Sequence, residues 1–365
     1  MNASASPTTH MPVCIPPVGR QTGSALIIAM LVAALVSVIS VRFAEAFLLQ
    51  LDSAEFRQQM NWRSAYVQGT EALAIQLLQV DARQAQTDHG QDSWAQQIPA
   101  LPTDHGWLQP AVQDAQSRFN LNNLIVKTAY ADDAGAPLAT RLSPAQKQFV
   151  RLLQSFEDYP VSEADAVMMT EALVDWIDAD DDSTGQGGAE SLFYSAANPP
   201  LQAANQPLSD ISELVLVRHF TPAIVERLRP LVIVLPVPTA LNLNTAPLPL
   251  LATINRADRL QPLSWQSLQA LQYQRMTQAF SSVDTFFEHP LIQQLAPEAE
   301  RSSGDASAPL FAVASQWFLL DSTVAVNGSS SRWQSLIYRP DHRNTAGADA
   351  AVNTTPGLWS RSRQY

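Results

Sequence analysis

The chain has 365 residues and a formal net charge of −12, with 34 acidic against 22 basic side chains. That length allows two modest domains of ~100–200 residues each. The acidity excludes a phosphate-binding footprint and argues against nucleic acid as a partner. Six scattered histidines, no H-E-x-x-H and no G-x-S-x-G leave no catalytic constellation, so an enzyme is not expected.

The N-terminus carries Ser24 to Val41, eighteen residues without a charge, between Arg20 and Arg42. As a helix this run spans ~27 Å, close to the ~30 Å hydrocarbon core of a bilayer, and it can cross a membrane once. Three readings are open. It is a retained anchor; or a secretory signal cut after Ala44-Glu45-Ala46; or a prepilin leader cut on the cytoplasmic side, after Gly23 and before Ser24. Arg20 before the run, with Glu45, Asp52 and Glu55 after it, places the following head outside the cytoplasm. Cys14 is the single cysteine, so cleavage after Gly23 leaves a mature chain with none, one charge more negative for the loss of Arg20. Rigidity must then come from the core or from a bound metal.

From Phe43 to about Val80 a helical period continues without proline, with Phe56, Met60, Val67, Ala74 and Leu77 or Leu78 on one face. A membrane helix that runs on into an amphipathic helix under a globular head is the pilin-like design, and this pattern favours the leader reading. Residues 84–110 read as a loop with two Thr-Asp-His-Gly turns, at Thr87 to Gly90 and Thr103 to Gly106; turn chemistry accounts for their histidines. Asp114 to Val126 reads as a first strand, and Val126 to Thr140 as an exposed loop. Helices are expected from Ser143 to about Ser155 and from Ser162 to Trp176 or Ile177. More follow at Ile211–His219, Thr221–Leu228, Pro247–Asn255 and Trp265–Ala279, with Asn244 to Pro247 as a cap. After Pro309 the period becomes two, Asn327-Gly328 marks a hairpin, and Trp333 to Tyr338 returns. Residues 341–365 read as a disordered tail.

The fold expected is α+β. A pilin-like head with a long N-terminal transmembrane and amphipathic helix and a small antiparallel sheet is interrupted by a large inserted all-α domain. The boundaries are a leader at 1–23, a membrane segment at 24–44, a first head part at 45–142, an insert at 143–295, closing strands at 296–340 and a tail at 341–365.

The densest chemistry is Asp175-Trp176-Ile177-Asp178-Ala179-Asp180-Asp181-Asp182-Ser183-Thr184-Gly185, with Gly187-Gly188-Ala189-Glu190 following. Four carboxylates within five positions repel one another at a helix C-terminus, where the macrodipole also disfavours anions. A hard cation removes that cost, and oxygen ligands at such density suit Ca²⁺. Asp178, Asp180 and Asp182 match positions one, three and five of an EF-hand loop. Ser183 at six and Ala189 at twelve break the match. A solvated charge run is the competing reading.

Several stretches together resemble the minor pseudopilin K family of the bacterial type II secretion system. They are Gly23 with its apolar helix, Asp114 to Leu124, Leu173 to Asp181, Gly187 to Glu190, Ala203-Ala204-Asn205, Ile211 to Leu214 and Asn242 to Pro247. The resemblance implies cleavage by the prepilin peptidase between Gly23 and Ser24, methylation of the new N-terminus, and a single-pass inner-membrane protein with a periplasmic head. It implies a place with minor pseudopilins I and J at the tip of the pseudopilus, where the protein primes assembly for export. It also implies one or two calcium ions held by Asp178, Asp180, Asp182 and Glu190, with Asp181 and the Thr184 carbonyl in the wider set. Pilins ordinarily carry glutamate five residues into the mature chain; here that position is Ile28. A carboxylate in lipid is costly without its partner, so an apolar residue suits a subunit with nothing assembled above it. A membrane-anchored, calcium-dependent binding or adhesion module is the alternative function.

Overall fold

The computed structural model describes residues 22–126, 135–197, 199–302, 309–340 and 356–364. The chain divides into two units at Trp62 and Arg63, and helix α1 (Thr22–Gln84) contributes to both.

In the first unit the apolar run is helical and its side chains are exposed throughout, long and apolar enough to cross a membrane. Its few polar groups are satisfied internally: Ser37 Oγ donates to the Ala33 carbonyl at 2.8 Å and Ser40 Oγ to that of Val36 at 2.7 Å. This back-bonding lets a hydroxyl sit in hydrocarbon without an unpaired donor. Just beyond the run, Arg42 and Glu45 form an exposed pair one turn apart.

The second unit begins with the remaining turns of α1, where Val67, Ala74 and Leu78 turn inward as the period predicts. Ala74 and Leu78 pack with Trp94, Val112, Phe318, Leu320 and Ile337 against one antiparallel sheet. Its strands are β1 (Leu101–Thr103), β2 (Gly106–Asp114) and, far along the chain, β7 (Trp317–Val326), β8 (Ser329–Tyr338) and β9 (Gly357–Gln364), in the order β1-β2-β7-β8-β9. Asn327 and Gly328, both at positive φ, turn the β7–β8 hairpin with Val326 opposite Ser329, as the Asn-Gly signal requires.

Between β2 and β7 the chain builds a second core. Strand β3 (Phe119–Asn120) leads to helices α2 (Leu138–Arg141), α3 (Pro144–Leu153), α4 (Glu163–Ile177), α5 (Ser191–Ser195) and α6 (Pro222–Leu228). Strands β4 (Val232–Ile233) and β5 (Leu241–Asn242) follow, then α7 (Leu248–Leu251), α8 (Gln269–Thr277), α9 (Val283–Phe287), α10 (Pro290–Leu295) and β6 (Phe311–Ala312). The block is helical apart from two short parallel pairs, β3–β4 and β5–β6. Helix α3 starts in a capping box between Ser143 and Gln146 with Pro144 in the first turn, and Ser162 caps α4 by accepting from the Asp165 N–H. Phe149, Leu152, Leu173 and Ile177 are buried in its core, each contributing ~1.5–3 kcal/mol of transfer free energy.

Four sequence expectations change. The strands β1 and β2 lie in the stretch read as a loop; Pro110 and the turn residues masked an extended run whose register is supplied by β7, from Gly106 opposite Val326 to Asp114 opposite Phe318. Gly106 is needed there, because a Cβ would collide with the Ala325 carbonyl. The stretch expected as a first strand, Asp114 to Val126, is instead two 3₁₀ turns around the two-residue β3, started by Asp114 and Asn120 side chains that accept from the N–H groups two residues on. Asn244 does not cap a helix: its Nδ2 donates to the Phe280 carbonyl at 3.0 Å and its Oδ1 accepts the Phe280 N–H at 2.9 Å, binding two distant loops. Finally, the tail expected to be disordered supplies β9, paired with β8 and tied by Arg361 to the buried Glu71 of α1; residues 341–355 lie outside the described residues.

Candidate metal centre

Helix α4 carries its own anchors for the acidic loop. Glu171 Oε2 accepts the N–H groups of Gln186 at 3.0 Å and Gly187 at 2.8 Å. One turn on, both oxygens of the fully buried Asp175 accept the Thr184 N–H at 3.1 Å. The loop thus doubles back along the helix that launches it. Two glycines make the approach possible: a Cβ at Gly187 would strike the Met168 backbone, and one at Gly188 would strike Asp175 Oδ2 and the Thr184 carbonyl. Arg218 Nη1 donates to the Gly188 carbonyl at 2.9 Å, and Trp176 packs edge-on against Tyr194 to close the apolar side.

This fold-back unites residues twelve positions apart. Asp178, Asp180 and Glu190 each offer a carboxylate oxygen, and the three oxygens lie within 4.8 Å of one another. Asp178 and Glu190 are buried while Asp180 is exposed, giving a cluster open on one side. Neither oxygen of Glu190 accepts a hydrogen bond among the described residues. Burial, and then the charges of Asp175, Asp178, Asp181 and Asp180, push its pKa up to about 8. Asp175 is raised as well, chiefly by burial.

The remaining expected ligands take other places. Asp181 Oδ1 accepts the Ser191 N–H at 3.1 Å, and hydrogen bonding from the Ser191 side chain and then from this N–H holds its carboxyl below the usual range. Asp182 is exposed and gives its N–H to Asp180 Oδ1 at 3.0 Å. Thr184 is engaged through its N–H by Asp175. The compact cluster is therefore Asp178, Asp180 and Glu190, with Asp181, Asp182 and Thr184 shaping the loop around it. Gly23 and Ser24 both fall in the first turn of α1, and residues 1–21 of the expected leader lie outside the described residues.

Glu171, Asp175 and Asn205 were not picked out from the sequence as part of the site. Asn205, at positive φ, donates from Nδ2 to the Asp180 carbonyl at 3.0 Å and from its N–H to the Trp176 carbonyl at 3.0 Å. Its buried Oδ1 accepts no hydrogen bond among the described residues. The i, i+4 spacing of Glu171 and Asp175, among the apolar residues that end α4, was the readable signal for the first two. A donor set of two buried carboxylates and one exposed carboxylate fits a hard cation with flexible oxygen coordination. Without a cation the same carboxylates repel in a partly desolvated space.

The family model for "Type II secretion system (T2SS), protein K" matches residues 117–237, which include the acidic loop. Type II secretion system protein K of Pectobacterium carotovorum subsp. carotovorum is 32% identical over 87% of this chain and 93% of its own length. The protein of the same name from Klebsiella pneumoniae is 32% identical over 88% and 93%. A solved structure, that of the GspK-GspI-GspJ complex from the enterotoxigenic Escherichia coli type 2 secretion system, contains a chain similar at TM-score 0.66 and 26% identity. The match covers 85% of this chain and 99% of that one. An apolar helix running into an antiparallel sheet, a helical block between β2 and β7, and relatives matched over nearly their whole length together show that the chain belongs to the type II secretion system protein K family, a minor pseudopilin.

Proposed function

We propose that this protein is the subunit at the tip of the type II secretion pseudopilus, where it joins minor pseudopilins I and J and primes assembly for export across the outer membrane. The observation that carries the reading is Ile28. Every side chain around it in the apolar run is aliphatic or small, so the helix offers no carboxylate to the terminal amine of a subunit above it. A subunit that accepts neighbours on one side only belongs at an end. The relative in the solved complex is assembled with GspI and GspJ, which supports the same partners here.

On this reading the prepilin peptidase cuts between Gly23 and Ser24, the new N-terminus is methylated, and the apolar helix holds the protein in the inner membrane with its head in the periplasm. The head works by shape and assembly, not by catalysis. Calcium sits at Asp178, Asp180 and Glu190, neutralises the loop and fixes it along α4. Deletion of the gene in its host, followed by measurement of exported proteins in the medium, tests the central claim: export should stop and return with the intact gene. Restoration by an Ile28→Glu variant to the wild-type level would remove the argument from Ile28.

A further inference from the structure

A second carboxylate cluster lies in the pilin-like part, outside the acidic loop. Asp81 is in the last turn of α1, and Asp88 and Asp92 lie in the loop that leaves it. All three are buried, with oxygens from each within 4.8 Å of one another. One guanidinium faces these three acids: Arg339, just past β8, donates from Nη1 to Asp81 Oδ2 at 3.1 Å and from Nη2 to Asp88 Oδ2 at 2.5 Å. Arg339 also donates to the Ser315 carbonyl and lies over the Phe318 ring, so it is fixed where it is. His89 Nδ1 is 3.2 Å from Asp92 Oδ1, and the His89 N–H donates to Asp92 Oδ2.

Among the described residues the acids exceed the fixed positive charge bonded to them, and one oxygen accepts no hydrogen bond. Asp88 is 1% exposed. Its Oδ2 accepts from Arg339 and from the Ser315 N–H, while its Oδ1 is buried and accepts no hydrogen bond among the described residues. A carboxylate oxygen in that position carries a desolvation penalty unless something binds it. Burial and the neighbouring Asp92 and Asp88 raise the Asp81 pKa to about 6, and burial raises that of Asp92.

The setting is one that a bound ion would stiffen. The Asp88 N–H donates to the Val313 carbonyl, its carbonyl accepts from Asn242 Nδ2, and Asn242 reaches on to Asp114 Oδ2, which Thr245 and Ser315 also hold. The end of α1, the start of β7 and the rim of the helical block therefore meet at this loop.

We propose that Asp81, Asp88 and Asp92 form a second divalent-cation site of the calcium type, at the junction between the pilin-like sheet and the helical block. The donors are all carboxylate oxygens, which suits a hard ion. With Arg339 in place, one divalent ion balances the remaining charge of the three acids and gives Asp88 Oδ1 a partner. The site is independent of the acidic loop and does not rest on the calcium reading given for it.

The test uses the full chain in detergent, with Ca²⁺ counted by equilibrium dialysis and Tb³⁺ read by emission excited through tryptophan. Trp94, two residues after Asp92, is the near antenna for the junction, and Trp176 for the loop. Asp92→Asn retains an acceptor for the His89 N–H and should lower the Ca²⁺ count by one. Trp94→Phe should leave the count unchanged and reduce the sensitised emission. In a chain carrying Asp178→Asn and Asp180→Asn, one ion should remain, and its emission should fall to background when Asp92→Asn is added. An unchanged ion count in Asp92→Asn, with native circular dichroism, overturns the proposal. So does Tb³⁺ emission that Trp94→Phe does not alter. Both readings are made in a chain with an intact loop, so they hold even if the loop variants do not fold. If the loop variants leave the ion count unchanged, the loop reading fails and the junction result stands by itself.

Discussion

The two carboxylate clusters solve one electrostatic problem in different ways. In the acidic loop, neither oxygen of Glu190 accepts a hydrogen bond among the described residues, and burial with four neighbouring acids pushes its pKa up to about 8. At the junction, Arg339 is built into the cluster and bonds two of the three acids. A cluster with its own arginine keeps its shape without a ligand, whereas a loop that leaves a buried carboxylate unbonded at Glu190 has its shape set by what binds. The junction should thus behave as structure that an ion reinforces, and the loop as structure that an ion creates.

The largest expected effect breaks the junction. Arg339→Met leaves three buried acids facing one another and should cost ~3–5 kcal/mol, measured by denaturant unfolding of the full chain. A loss below ~1 kcal/mol would mean that the arginine is not the internal cation it is taken to be.

Next comes ion removal. Chelation of Ca²⁺ should lower the midpoint of thermal unfolding by several degrees, since an ion at 100 times its Kd contributes about 2.7 kcal/mol and ~1 kcal/mol moves a domain of this size by ~2–4 °C. The same chelation in Asp178→Asn should have a much smaller effect. Equal shifts in both proteins would remove the loop from the explanation.

A smaller effect separates the clusters by pH. Glu190 has a native pKa of about 8 against an ordinary 4.5, so between those values the native state holds more protons than the unfolded one. Its favourable contribution is complete below about 4.5 and lost as pH rises toward 8. In chelator, stability should therefore fall from pH 5 to pH 8; with Ca²⁺ the slope should flatten or reverse, because the ion needs the ionised carboxylate. Asp81 runs the same way over a narrower window, from 3.8 to about 6. Parallel melting curves with and without Ca²⁺ at every pH would contradict the assignment.

The smallest effect lies within the loop. Asp182→Asn should change calcium affinity by less than about twofold, because Asp182 is exposed and outside the compact cluster. Asp178→Asn should weaken it by more than tenfold, about 1.4 kcal/mol or greater. Titration calorimetry on both variants would show the contrast, and equal losses would restore the wider ligand set.

How much of this could be read in advance depended on sequence distance. The loop acids fall within one short stretch, Asp178 to Glu190, the helix caps are local, and the α1 face follows a 3.6 period, so each was legible. The junction was not: Asp81, Asp88 and Asp92 acquire meaning only with Arg339, some 250 residues away. The repeated Thr-Asp-His-Gly shows the limit sharply. At Thr103 to Gly106 it is the turn between β1 and β2, as its letters say. At Thr87 to Gly90 the same letters bury an aspartate among asparagine, serine and arginine partners. The β9 strand was missed for a related reason: its charged side chains looked solvated, yet Arg361 has Glu71 to meet.

That last contact has a consequence for the order of events during synthesis. Glu71 and Arg361 are 290 residues apart, so the ribosome delivers the acid long before its partner. At the 5–20 residues per second typical of translation, the gap is roughly fifteen seconds to a minute. During that interval the apolar helix is already made and can engage the membrane, while the sheet lacks its edge strand and the Trp317 ring lacks Trp359 against it. The apolar helix is complete before the sheet can close, and a head still waiting for β9 is the species a chaperone or protease would meet.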